Sequence, residues 1–191
     1  TTKKALPLKT QMPIAIPECK KELKKAIEQC QILGKTQDAM HIYLYQYTGS
    51  SCVFRELGRL REIAFRAVGE GSGKRRDIDK YDMDYQHLVL WDPEQLELVG
   101  AYRLACAADI IKKHGREGLY TDSLFTYTNA MTPYLQQGIE LGRSFVQPKY
   151  WGRKSLDYLW YGIGAFIKNY PQYRYLFGAV TVSNTSPEQA K

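Results

Sequence analysis

Two apolar periods alternate along this chain, and the points where one gives way to the other mark its elements. Between Val53 and Val68, Leu57, Leu60, Ile63 and Ala64 recur three and four residues apart, which predicts a helix. The stretch His41 to Thr48 alternates Ile42 and Leu44 with tyrosines, the period of a strand, and Gly49-Ser50-Ser51 breaks it. Gln86 to Trp91, the turn Asp92-Pro93-Glu94-Gln95 and Leu96 to Leu104 predict a hairpin. A short helix is expected from Ala107 to His114 and a strand from Gly138 to Val146. A helix follows from Ser155 to Lys168, with Leu156, Leu159 and Ile163 on one face, and then a buried strand from Tyr175 to Val182. Tyr120 to Thr132 fits neither period and is left unassigned. Residues 1–17 carry Pro7, Pro13 and Pro17 and read as an extended linker. Pro17 is placed to open a helix running to Gly34, with Leu23, Ile27 and Leu33 on its apolar side.

This order of elements predicts an α/β (α+β) fold with a mixed, mainly antiparallel sheet flanked by helices. The expected division is 1–36 as linker and N-terminal helix, and 37–191 as one folded domain. The chain has 191 residues, 44% hydrophobic and 25% charged, enough for a single domain with a real core. Because it begins at Thr1, it is expected to be a piece of something longer.

Charge narrows the partners. The net charge is +7, but the basic residues are dispersed in pairs and triplets such as Lys74-Arg75-Arg76. No nucleic-acid module signature accompanies them, so nucleic acid is not an expected partner; an acidic carrier protein or an anionic membrane surface is. Cys19, Cys30, Cys52 and Cys106 show no Cys-x-x-Cys and no His at ligand spacing, which points to a reducing compartment and no metal site. His41, His87 and His114 are isolated and are expected to be structural or exposed. The longest apolar run, Leu159 to Ile167, falls far below the ~20 residues of a membrane span, and no signal peptide is visible.

The candidate chemistry lies in charges set beside strand-like runs. Asp77, Asp79 and Asp82 come first, then Arg103 in Gly-Ala-Tyr-Arg-Leu, then Glu140 and Arg143 in Glu-Leu-Gly-Arg-Ser-Phe-Val. Three neighbouring aspartates cannot all ionise without cations, and an arginine in a strand can hold a carboxylate through two hydrogen bonds. Arg61 and Phe65 lie one helical turn apart and share a face. Such a network can simply hold a loop against a sheet, and that reading has equal weight with a functional one.

From about Phe54 to Pro187, this ordered set resembles the acyl-homoserine-lactone synthases and the ornithine-lipid N-acyltransferases, the latter often grouped as haemolysin-like, within the GNAT superfamily. The resemblance implies a GNAT-like sheet lacking its C-terminal strands here. It implies that Asp77, Asp79, Asp82, Arg103 and Arg143 form one ion cluster on the acceptor side, supported by Arg61 and Phe65. Glu140 is the nominal general base, with a water relay or one of the aspartates as alternatives. Phe145 and Val146, in a strand opening from its neighbour, would meet the thioester arm. Gln147, Lys149, Gly152, Arg153, Lys154 and Ser155 would form the phosphopantetheine loop at a helix N-terminus. Lys154 stands where the family's loop has a small residue, which favours the single phosphate of acyl carrier protein over coenzyme A. Trp151, Trp160, Tyr161 and Phe166 are read as core ahead of an acyl pocket.

The implied activity moves a (3-hydroxy) fatty acyl chain from acyl carrier protein to the α-amino group of ornithine or a similar amino acid, giving a lyso-aminolipid. No cofactor would be bound permanently. The location would be cytoplasmic and peripheral to the inner membrane, with a phosphate-acyltransferase-like domain as a fusion partner. Two alternatives stand beside it: a homoserine-lactone synthase using S-adenosylmethionine, and a non-catalytic domain that binds carrier protein or lipid. Gly69 to Arg76 occupies the place where the synthases carry a Trp, which disfavours the first.

Overall fold

The computed structural model describes residues 10–180. Its elements are α1 (Lys20–Ile27), β1 (Gln31–Lys35), β2 (His41–Gln46), α2 (Cys52–Ala67), β3 (Gln86–Asp92), β4 (Glu97–Cys106), α3 (Ala107–His114), α4 (Thr132–Gln136), β5 (Gly138–Val146), α5 (Ser155–Asn169) and β6 (Tyr175–Phe177). The strands form one six-stranded sheet in the order β1-β2-β3-β4-β5-β6. Every pair is antiparallel except β5 with β6. The mixed, mainly antiparallel plan and the β3–β4 hairpin are as expected.

Alternation along the strands builds a core on each side of the sheet. Tyr43, Tyr45, Val89, Trp91 and Ala101 pack with Leu23 and Ile27 of α1 and Leu57 and Leu60 of α2. On the opposite face Ile42, Leu44, Leu88 and Leu90 meet Leu159, Ile163 and Phe166 of α5. Gly162 permits that approach: a Cβ there would come within 2.8 Å of Ile42 and 2.9 Å of Leu88. Leu156 is not on this buried stripe as expected but is 48% exposed; Ser155, Tyr158 and Gly162 take the inner positions instead.

Two expectations are corrected. The helix from Pro17 to Gly34 is two elements, α1 and the edge strand β1. Leu23, Ile27 and Leu33 share no stripe: the first two pack on the α2 side of the sheet, and Leu33 packs on the α5 side. Residues before 36 are joined to the rest of the sheet. β1 pairs with β2, Ala15 is buried, and the Met12 and Ala15 N–H groups donate to the Gly73 and Arg75 carbonyls at 2.8 and 3.1 Å. The strand from Tyr175 is three residues long rather than eight and is not buried: Tyr175 and Leu176 are each 41% exposed. Its expected end at Val182, and the missing strands expected beyond, lie outside the described residues. No helix among the described residues is long and apolar enough to cross a membrane.

Candidate functional site

The expected ion cluster forms, and a third arginine sits at its centre. Arg61 of α2 holds Asp82 with both terminal nitrogens, at 3.0 and 2.6 Å, and donates to the Asp77 backbone carbonyl at 3.1 and 2.5 Å. Arg103 of β4 reaches Asp79 at 2.6 Å and Asp82 at 3.1 Å. Arg143 of β5 reaches Asp77 at 3.2 Å and lies 3.7 Å from Asp79. Asp79 and Asp82 also cap the short turn Lys80–Met83, each side chain accepting a backbone N–H, so the aspartate loop is locally ordered before it meets the arginines.

Burial opposes ionisation here and proximity restores it. Burial alone would raise Asp82, but Arg61 and Arg103 hold its carboxyl far below the usual range. For Asp77 burial prevails over Arg61 and Arg143, and its carboxyl is raised. Burial would lower Arg103, but Asp82 and Asp79 raise it. His87 is fully enclosed beside them, its Nε2 3.0 Å from the Asp82 carbonyl, and burial lowers it to about 4, so it is neutral at pH 7.

The cluster props up an irregularity in the sheet. Ala101 pairs with Phe145, and Arg103 pairs with Gly142, so Tyr102 faces both Arg143 and Ser144 in a bulge. Arg143 has φ 47°, a left-handed conformation that costs a non-glycine residue about 1–2 kcal/mol. Its hold on Asp77, with Phe65 and Tyr120 rings 5.8 and 5.9 Å from the guanidinium, offsets that strain. β6 pairs with β5 only at Gly138 to Glu140, so the rest of β5 has no strand on its outer edge among the described residues.

Two pockets open along that edge. One, of about 520 Å³, is lined by Phe65, Glu70, Tyr120, Gly142, Arg143 and Ser144. The other, of about 380 Å³, is lined by Ser144, Phe145, Val146, Trp151, Gly152, Arg153 and Ser155 among others. Ser144 belongs to both. Ser155, the first residue of α5, is 2% exposed, and its hydroxyl has no hydrogen-bond partner among the described residues.

The remaining expected residues separate. Gln147 is spent as a clasp: its N–H donates to the Val99 carbonyl at 2.9 Å and its side-chain amide to the Leu98 carbonyl. Lys149 pairs with Glu97, while Lys154 is exposed just before α5. Glu140 is not brought to either pocket; its carboxylate is enclosed by Tyr85, Tyr120 and Thr121. Of the aromatics read as core, only Phe166 is: Trp151, Trp160 and Tyr161 are 48, 47 and 66% exposed. Tyr120, Glu70 and Ser144 went unnoticed in the sequence. Tyr120 falls in the stretch without periodicity, and its partners become visible only in three dimensions.

A family profile described as an acetyltransferase (GNAT) domain matches residues 60–161, which contain the whole ion cluster and most of the residues lining the two pockets. The chain is 38% identical to a protein of Phocaeicola vulgatus named glycine N(alpha)-acyltransferase, over 88% of this chain and 56% of that one. A protein of the same name from Bacteroides thetaiotaomicron is also 38% identical, over 87% of this chain and 53% of its own. An L-ornithine N(alpha)-acyltransferase of Rhizobium meliloti is 29% identical over 56% of this chain and 37% of its own. The chain thus spans about half the length of the first two relatives. No solved structure matches it significantly. With more than half its length matched by one profile, on a mixed sheet whose fifth strand is bulged and, past Glu140, has no strand on its outer edge among the described residues, the chain belongs to the acetyltransferase (GNAT) domain family.

Proposed function

We propose that the protein transfers a fatty acyl group from acyl-phosphopantetheine on acyl carrier protein to the α-amino group of a small amino acid, glycine or ornithine. The product would be a lyso-aminolipid. One observation carries this reading: Ser144 of β5 lines both pockets, so separate molecules entering them would approach one point. The relatives' names supply the acceptors, and the higher identity of the glycine enzymes puts glycine first.

The pocket at the start of α5 suits the donor's phosphate. Gly152 has φ 73°, open to a close-lying backbone, and the buried Ser155 hydroxyl, Arg153 and the first amides of α5 supply donors. Lys149 and Gln147 are already engaged and leave the phosphate to those groups. The thioester would lie along β5, where outward backbone N–H groups polarise its carbonyl and hold the developing oxyanion. In the other pocket Arg143, with side chain 29% exposed, attracts the acceptor's carboxylate. The amine then attacks the thioester carbon: the C–N bond forms, the C–S bond breaks, and the thiolate leaves.

The test is a mass-spectrometric product assay with 3-hydroxyacyl carrier protein or the matching acyl coenzyme A, offered glycine and ornithine. It is run on this chain and on a version extended at its C-terminus. An N-acyl amino acid made from the carrier-bound donor is expected. A product from coenzyme A alone would refute the donor assignment. Carrier protein bound without any product would replace catalysis by a binding role.

A further inference from the structure

Glu140 is 2% exposed and sits on β5 between two tyrosines that reach it from other elements. Its Oε1 accepts the Thr121 N–H at 2.6 Å. Its Oε2 accepts the Tyr120 N–H at 3.2 Å and the Tyr85 hydroxyl. The Tyr85 oxygen itself accepts from the Tyr120 N–H at 2.9 Å, closing a small ring of hydrogen bonds. A carboxylate whose two oxygens both hold donors inside the fold is badly placed to take a proton from a molecule in the cleft. It is well placed to fix the start of an otherwise irregular segment, 119–131.

What it fixes is Tyr120. That ring lies 5.4 Å from the Arg103 guanidinium and 5.9 Å from that of Arg143, and it forms part of the cleft wall. We propose that Glu140 is a positioning residue, not the general base: it holds Tyr120 by its backbone, and Tyr120 closes the acceptor cleft against Arg143. The proposal rests on reading that cleft as the acceptor's. The ammonium then gives its first proton to water in the open cleft, and the second, released as the C–N bond forms, goes to the departing thiolate.

The experiment compares wild type, Glu140→Gln, Tyr120→Ala and Tyr85→Phe by steady-state kinetics across pH and by amide hydrogen exchange. In Glu140→Gln the Tyr120 and Thr121 amides should exchange roughly tenfold or more faster, the scale of one hydrogen bond to a charged group. The acceptor KM should rise by a similar factor in Glu140→Gln and Tyr120→Ala, while kcat falls less than about threefold and keeps its pH profile. A kcat loss of about 10²–10⁴ in Glu140→Gln, with the acid limb of the profile gone, would establish a general base and overturn the proposal. So would unchanged exchange at both amides, or an unmoved acceptor KM in Tyr120→Ala. If Glu140→Gln does not fold, Tyr85→Phe and Tyr120→Ala carry the same KM test. Absence of turnover in wild type would count against the acyl-transfer reading, and the exchange rates would still decide the anchor.

Discussion

Arg61 is almost fully buried, 1% exposed beside Asp82 at 0% and Asp77 at 3%. Removing one partner of such a pair leaves the other charge desolvated and alone. Arg61→Ala should therefore cost about 3–5 kcal/mol, read by urea denaturation. A loss below about 1 kcal/mol would mean the aspartates find water or another cation. His87 gives the site an acid sensitivity. Its folded value, about 4, lies below the ordinary 6.5, and Asp82, Arg61 and Arg103 are the charged groups that face it. Between those values the unfolded chain binds the extra proton, so stability is full above 6.5 and falls as pH drops toward 4. The slope from this residue is at most about 1.4 kcal/mol per pH unit. His87→Gln should flatten the stability–pH curve in that window; an identical slope would show that other groups set it. The charges of the cluster were legible in the sequence because burying them beside strands demands partners. The assignment of partners was not, since any arginine could have met any aspartate.

At the scale of elements, periodicity identified what packs on one neighbour and failed where two neighbours share the work. The segments α3 and β5 match expectation to the residue, and α2, β3 and β4 to within one or two at their shared ends. The run Leu23, Ile27, Leu33 looked like one helix stripe because a helix packed on one face of the sheet and an edge-strand side chain facing the other fell into phase by chance. β1 draws its stability from pairing with β2, an interaction with no local signature. The bulge at Arg143 is similar. Nothing local favours φ 47° for arginine, and the conformation exists because two aspartates from another element hold the side chain. The glycine-rich loop after α2 is pinned by a contact that no local pattern marks. Glu62 accepts the Ser72 and Gly73 N–H groups at 3.0 and 2.9 Å, and the Ser72 hydroxyl at 2.6 Å.

For the whole molecule, the net charge is +7, and the proposed donor site would put part of it to use. Arg153 lines the proposed donor pocket and the exposed Lys154 follows it in the chain, so an acidic carrier protein would meet both there. Arg153→Glu with Lys154→Glu should weaken carrier-protein binding roughly tenfold or more at low salt, with the difference shrinking as salt screens it and the thermal transition unmoved. Equal affinities across a salt series would remove the donor loop from this position. The sequence by itself determined the mixed sheet, the order of most elements and the set of charges that had to find one another, because periodicity and the cost of burying charge are local or pairwise demands. Only the tertiary structure decided that Arg61 lies at the centre of the cluster, that Ser144 lines two pockets, and that Glu140 turns away from them to hold Tyr120. Those outcomes depend on how the strands pair and which loop reaches across them, and that is set by packing among residues far apart in the chain.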